Sequence, residues 1–182
     1  MDDGGHAKRK IAPAGASAGP GQVVVANNGA VSVASAARLQ TVSPAFFTFG
    51  GTGGFPRKYV VATHANGSLV GPPGLFPGAT TPAKPGETIV LYGTGFGPTS
   101  PPYEGTTVAA PASVTAAPQV TIAGQVVNPA FAGLVSPGLY QINLTIPAIT
   151  GVAGATLDVP LSAASGGATT QSNLFLAVLP GQ

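Results

Sequence analysis

Beyond residue 10 the chain carries one imidazole and three carboxylates: His64, Glu87, Glu104 and Asp158. Two carboxylates flanking a glycosidic bond would hydrolyse it. Several carboxylate oxygens together would hold calcium. Three acids spread over the whole chain give little chance of either arrangement, so they read as solvated surface charges. His64 could act as a base or a metal ligand, yet no second histidine and no acid stands near it in sequence. It reads as a solvated or turn-bonded side chain. Gly93-Thr-Gly95-Phe-Gly97 follows an apolar alternating run and invites a phosphate-loop reading. That chemistry needs a helix behind the loop to aim backbone N–H groups at phosphate. Pro98, Pro101 and Pro102 follow instead and no lysine is in place, so the run reads as a structural turn. These residues leave no catalytic, cofactor-binding or metal-binding assignment. The chain is expected to be no enzyme and to use no cofactor.

Two weaker signals concern binding and modification. Phe46, Phe47, Phe49 and Phe55 cluster near Tyr59. Aromatic faces suit the apolar faces of sugars, so a glycan platform is one reading. Core packing, or packing between modules, is the more ordinary use of such rings. Asn66-Gly-Ser68 and Asn143-Leu-Thr145 match glycan acceptor sequons. Asn66 falls in a predicted exposed turn.

The elements that would position these residues read as strands. In residues 138 to 146, Tyr140, Ile142, Leu144 and Ile146 alternate with Gln141, Asn143 and Thr145. A period of two puts apolar side chains on one face and polar ones on the other. Such a strand buries its apolar face against a second sheet. Glu87 to Tyr92 repeats the pattern, with Ile89 and Leu91 on one face. Further strands are expected at 58–63, 120–122, 126–128, 156–161 and 173–179. Asn66-Gly67 and Ala123-Gly124 read as turns, and the Pro-rich stretch 71–86 as a loop. No segment carries a long 3.6-residue period, so at most a short turn of helix is expected.

Residues 1–22 read as a flexible leader, charged and then rich in Ala, Gly, Pro and Ser. Val23 to Ala26, Asn27-Asn28-Gly29 and the run to Val42 read as a β-hairpin, because Asn and Gly tolerate positive φ. Val159, Leu161, Phe175, Val178 and Pro180 stand 136 residues after Val23, Val25, Leu39, Val42 and Pro44. Two readings follow. Either 23–42 is the tail of a preceding module built like the one that ends at 179, or two Ala/Ser/Val-rich hairpins share a composition by chance. Residues 43–182 then form the whole module.

Composition bounds the rest. The chain has 182 residues, only 7% of them charged, with 27 Gly and 19 Pro. Low charge with many short apolar runs is the opposite of a disordered composition. The net charge is +2, and Lys8, Arg9 and Lys10 supply three of the seven basic residues. That cannot neutralise a run of phosphates, so no nucleic-acid partner is expected. The chain has no cysteine, which excludes disulfides, thiolate zinc sites and thiol catalysis. No run reaches the roughly 20 apolar residues of a membrane span. The basic run followed by Ile11 to Ala18 imitates an export signal, but it is short and broken by Pro13 and Gly15.

Three ordered motifs carry a family likeness. They are Pro85-Gly-Glu-Thr-Ile-Val-Leu-Tyr-Gly-Thr-Gly-Phe-Gly-Pro98, Val120-Thr-Ile-Ala-Gly-Gln125, and Gly138-Leu-Tyr-Gln-Ile-Asn-Leu-Thr-Ile-Pro147. With Pro44-Ala-Phe-Phe47 and Asn66-Gly-Ser-Leu69 at the opening, residues 43–180 resemble the Solibacter-type uncharacterised C-terminal domain family of acidobacterial surface or secreted proteins. The resemblance implies an Ig-like antiparallel β-sandwich, a C-terminal module of a larger exported protein, and no established activity. The strand around Tyr140 is similar to the tyrosine-corner strand of Ig-like sandwiches. Ile142 would stand where antibody domains place a cysteine, with Ile89 or Leu91 as its partner across the core.

The expected fold is therefore all-β: an Ig-like antiparallel β-sandwich preceded by an extra N-terminal hairpin. The expected function is a non-catalytic structural or adhesion module, extracellular or on a bacterial cell surface. One alternative is self-assembly into head-to-tail oligomers or filaments through the 23–42 hairpin, with other modules or copies of itself as partners. Another is carbohydrate binding through the phenylalanine cluster.

Overall fold

A computed structural model describes residues 17–50, 57–103, 107–152 and 154–181. Every regular element among them is a strand; no helix is present among the described residues. Phe55, Glu104 and most of the 1–22 leader lie outside this set.

The described residues begin with a ribbon. Strands β1 (Gly19–Val23) and β4 (Ser35–Leu39) pair antiparallel, and β2 (Ala26–Asn27) pairs β3 (Ala30–Val31) across a two-residue turn. Asn28 and Gly29 turn with φ of 46° and 81°, the left-handed pair that matches strand twist in a tight hairpin. Pairing therefore starts at Gly19, inside the segment expected to be leader. Neither sheet of the body includes a ribbon strand.

The body follows. β5 (Ala45–Phe46), β8 (Ala62–His64), β9 (Leu69–Val70), β10 (Thr80–Thr81), β11 (Thr88–Thr94), β12 (Thr99–Ser100), β13 (Ala112–Val114), β16 (Phe131–Ser136) and β17 (Leu139–Thr145) form one sheet of nine. β6 (Thr48–Gly50), β7 (Lys58–Val60), β14 (Gln119–Ile122), β15 (Gln125–Val127), β18 (Leu157–Ser165), β19 (Ala168–Thr169) and β20 (Leu174–Val178) form a second sheet of seven. One hydrophobic cluster draws Ile89, Leu91, Ile142 and Leu144 from the first sheet and Val120, Ile122, Leu174 and Leu176 from the second. The fold is a two-sheet β-sandwich.

The alternation read at 138–146 is the centre of this core. Ile142 and Leu144 are fully buried on β17, and Ile146 is buried just past its end. Burying each such side chain contributes about 2 kcal/mol. Tyr140 is half-buried and packs at the rim of the same cluster. One expectation is corrected. Ile89 and Leu91 do not meet β17 across the core; Leu91 pairs with Ile142 and Ile89 with Leu144 on the neighbouring strand. They share a face because cross-strand partners in one sheet do.

A second correction concerns 58–63, expected to be one strand. The chain changes sheets at Val61: β7 belongs to the second sheet and β8 to the first. It changes the other way at Phe47, between β5 and β6. The two crossings are bonded together. Val61 donates to Phe47 O at 2.8 Å, while Phe47 and Val61 O meet the two sides of Tyr92 at 3.0 and 3.1 Å. β7 runs parallel to β20, and β10 runs parallel to β9, so the sheets are not wholly antiparallel.

Candidate functional site

The loop Gly93 to Gly97 is consumed by the fold. Gly95 has φ of +73°, and a Cβ there would lie 1.9 Å from Ser43 O, so only glycine fits. Its carbonyl accepts from Ser43 N, the Phe96 carbonyl from Ser165 Oγ at 2.9 Å, and the Gly97 carbonyl from Tyr140 Oη at 2.5 Å. The loop presents acceptors already filled by the protein, the opposite of an anion cradle. Phe96 sits beneath it, 5.3 Å from the Phe46 ring and 5.9 Å from that of Tyr140.

A polar cluster lies at the end of β8. His64 pairs with Ile89 in register, which places it on the core-facing side where the apolar filling ends. Its side chain is only 13% exposed. Nδ1 meets Glu87 Oε1, and Nε2 lies 2.9 Å from Thr81 Oγ1 and 3.2 Å from Thr81 O. The other carboxylate oxygen of Glu87 accepts from Lys84 N at 2.9 Å. The acid thus orients the ring by accepting from Nδ1–H. A neutral ring then accepts from the Thr81 hydroxyl, and a charged ring donates to Thr81. His64, Asn66, Ser68, Thr81, Lys84 and Leu179 border an open cleft of about 780 Å³.

A hydroxyl, an imidazole and a carboxylate in line are the parts of a nucleophilic relay. Here Nε2 also faces the Thr81 backbone carbonyl, and the Thr81 carbonyl accepts from Gly71 N at 3.0 Å. The cluster joins β8, β10 and the turn before β11, as a clasp on the sheet edge. Glu87 and His64 are thus bonded to each other, where the sequence suggested a solvated carboxylate and a solvated or turn-bonded histidine. Thr81 and Lys84 carry no sequence signal, because the contacts to His64 and Glu87 close only in the folded sheet.

Asp158 belongs elsewhere. It takes a 3.0 Å hydrogen bond from Arg57 Nη1 on the outer face of the second sheet, and the Arg57 guanidinium lies 4.8 Å over the Phe175 ring. Burial raises the phenol of neighbouring Tyr59 above its ordinary range; the Asp158 carboxylate adds to this and Arg57 opposes it. Among the described residues no three His, Asp or Glu side chains gather to hold a metal.

The aromatic cluster is split three ways. Phe46 is buried between the sheets. Phe49 and Tyr59 are register partners on the outer face of the second sheet, where Tyr59 is buried with Leu75 and Ala177. Phe49 packs edge-on against Phe76 at 5.2 Å. Phe47, at a sheet crossing, is 43% exposed. These rings do not share one platform, and Phe55 lies outside the described residues.

Both sequons are placed. Asn66 is exposed, and its Oδ1 accepts from Ser68 N and Oγ at 3.0 and 2.7 Å, whereas Asn143 is held within β17 by Gln141. Gly15-Ala-Ser17-Ala-Gly19 has the spacing of a nucleophile elbow. Ser17 is exposed and leads into β1, without the strand-to-helix turn that gives this motif its chemistry. The chain matches no protein-family model, no curated protein and no solved structure.

Proposed function

We propose that this chain is a non-catalytic structural or adhesion module of a bacterial surface or secreted protein, with an Ig-like β-sandwich as its body. One observation carries the reading: the polar groups with chemical potential serve as fasteners between strands. His64, Glu87 and Thr81 clasp a sheet edge, Tyr140 and Ser165 hold the 93–97 loop, and Asp158 holds Arg57. The sheet changes at Phe47 and Val61 support an Ig-like arrangement, and the Solibacter-type motifs support the extracellular setting. Protease shaving of intact cells tests it. Release of residues 43–182 from the surface is expected, with no turnover of p-nitrophenyl esters or glycosides. Retention in the cytoplasm, or turnover abolished by His64→Ala, would sink it.

A second reading is self-assembly through the ribbon. Val31 is 67% and Val33 90% exposed, and Val23, Val24 and Val25 are each about half exposed. An isolated two-stranded ribbon is at best marginally stable in water, so these valines favour a partner. Sedimentation at rising concentration tests it. On this alternative reading the chain associates and Val23→Asp with Val25→Asp abolishes the association; a strict monomer defeats it.

A further inference from the structure

The ribbon is built to the same plan as the hairpin that closes the body. β1 and β4 pair over five residues from Gly19↔Leu39 to Val23↔Ser35; β18 and β20 pair over five from Leu157↔Val178 to Leu161↔Leu174. Two further pairs lead to the tip in each: Ala26↔Val31 and Asn27↔Ala30, against Ala164↔Thr169 and Ser165↔Ala168. Both tips are two-residue turns in the left-handed region, Asn28-Gly29 and Gly166-Gly167. Between tip and base each carries one hydroxyl clamp. Val25 N donates to Ser32 Oγ at 3.0 Å, and Ser32 N donates to Val25 O at 2.9 Å. Ala163 N donates to Thr170 Oγ1 at 3.0 Å, and Thr170 N to Ala163 O at 2.9 Å. The equivalence runs at 138 residues through the clamp, not at the 136 read from the sequence, and one residue more beyond it.

In the closing hairpin this plan has a purpose. Val159, Leu161, Leu174, Leu176 and Val178 face the core, and the hairpin fills the gap between β14 and β7. The equivalent ribbon positions are Gly21, Val23, Ser35, Ala37 and Leu39. They share a face by register, and apart from the half-buried Leu39 all are exposed. The opposite face carries Pro20, Gln22, Ala36 and Arg38. The ribbon therefore repeats the pairing of the closing hairpin with smaller side chains, and is exposed where that hairpin is buried.

We infer that the ribbon completes the sheet of a second β-sandwich body, one open between two strands as this body would be without β18 and β20. Its partner would pair with both ribbon edges and present larger apolar side chains opposite Gly21, Ser35 and Ala37, where the ribbon is small. A second intact copy does not qualify, because its own hairpin fills the gap. This deepens the structural-module reading and rests on it.

The test uses the full chain with a protease site inserted beside Val152, which is 72% exposed. Cutting there leaves the closing hairpin held only by strand pairing and core packing, with no covalent link. Fluorescent synthetic hairpins are added in excess: residues 155–180, residues 17–42, and residues 17–42 with Gly21→Val, Ser35→Leu and Ala37→Leu. The first and third are expected to exchange into the cut chain with affinities within about tenfold, and native 17–42 to bind at least about tenfold more weakly for want of apolar volume. None should bind the uncut chain. Entry of 155–180 with exclusion of the filled-in ribbon overturns the inference, as does binding to uncut chain. If the resident hairpin never leaves, a chain with 155–180 replaced by the filled-in ribbon decides. A monomer with a cooperative melt supports the inference, and an unfolded or aggregated chain overturns it. Surface shaving reads the module's setting independently of all these outcomes.

Discussion

The Tyr140 hydroxyl donates to the Gly97 carbonyl at 2.5 Å, fastening β17 to the loop that follows β11. The two residues are 43 apart in sequence. A tyrosine corner would have closed on backbone a few residues away, so the bond is a long-range fastener instead. Burial raises the Tyr140 phenol above its ordinary range. The folded state then holds this proton more tightly than the unfolded chain does. The resulting stability is complete below about pH 10 and is lost as pH rises through the folded value. Tyr140→Phe is expected to cost about 1 kcal/mol at pH 7 and to flatten the alkaline decline. Urea titrations between pH 7 and pH 11 measure both effects; an unchanged alkaline slope would assign the decline to other groups.

Ile142 has no exposed surface and is surrounded by both sheets. Ile142→Ala should lower unfolding free energy by about 2–5 kcal/mol. Val126→Ala, on exposed β15, should stay within about 0.5 kcal/mol. Denaturant midpoints compare the two, and similar losses would mean that the layers do not meet as described.

Gly95 offers a sharper steric test. Gly95→Ala would drive a methyl into the Ser43 carbonyl in a left-handed backbone conformation. A loss of at least about 3 kcal/mol, or failure to fold, is expected. Gly124→Ala has a positive φ but open space around it, so it should lose only about 1 kcal/mol. Thermal melts of the two variants separate clash from conformational cost.

Glu87 holds both His64 and the Lys84 amide. Glu87→Ala should cost about 1–3 kcal/mol by leaving these donors unpaired. The loss should centre on β10, read as faster hydrogen exchange at the Gly71 amide that bonds Thr81 O. Uniform exchange across both sheets would contradict a local clasp.

The strands were legible wherever the deciding forces are local. Ile142 and Leu144 announce their burial through alternation, and Asn28-Gly29 announces a turn through its tolerance of positive φ. The sheet crossing at Val61 was not legible, because Lys58 to Thr63 has the composition of one unbroken strand. Phe46, Phe47 and Phe49 cluster in sequence, yet alternation and the crossing at Phe47 send them to different sides. The His64 clasp depends on residues 17 and 23 positions away, which only strand pairing brings together. Two hairpins were visible in the sequence, but the 136-residue match of their Val and Leu positions pairs the wrong residues. The correct offset depends on the Ser32 and Thr170 clamps, whose hydroxyls look ordinary in a chain rich in Ser and Thr.

The crossings at Phe47 and Val61 give the chain a particular way of coming apart. A polymer that threads from one layer to the other and back cannot shed a layer while keeping its mate. The body should melt in a single all-or-none step, whatever reagent or temperature provokes it. The ribbon, stitched into neither layer, should already be gone by then.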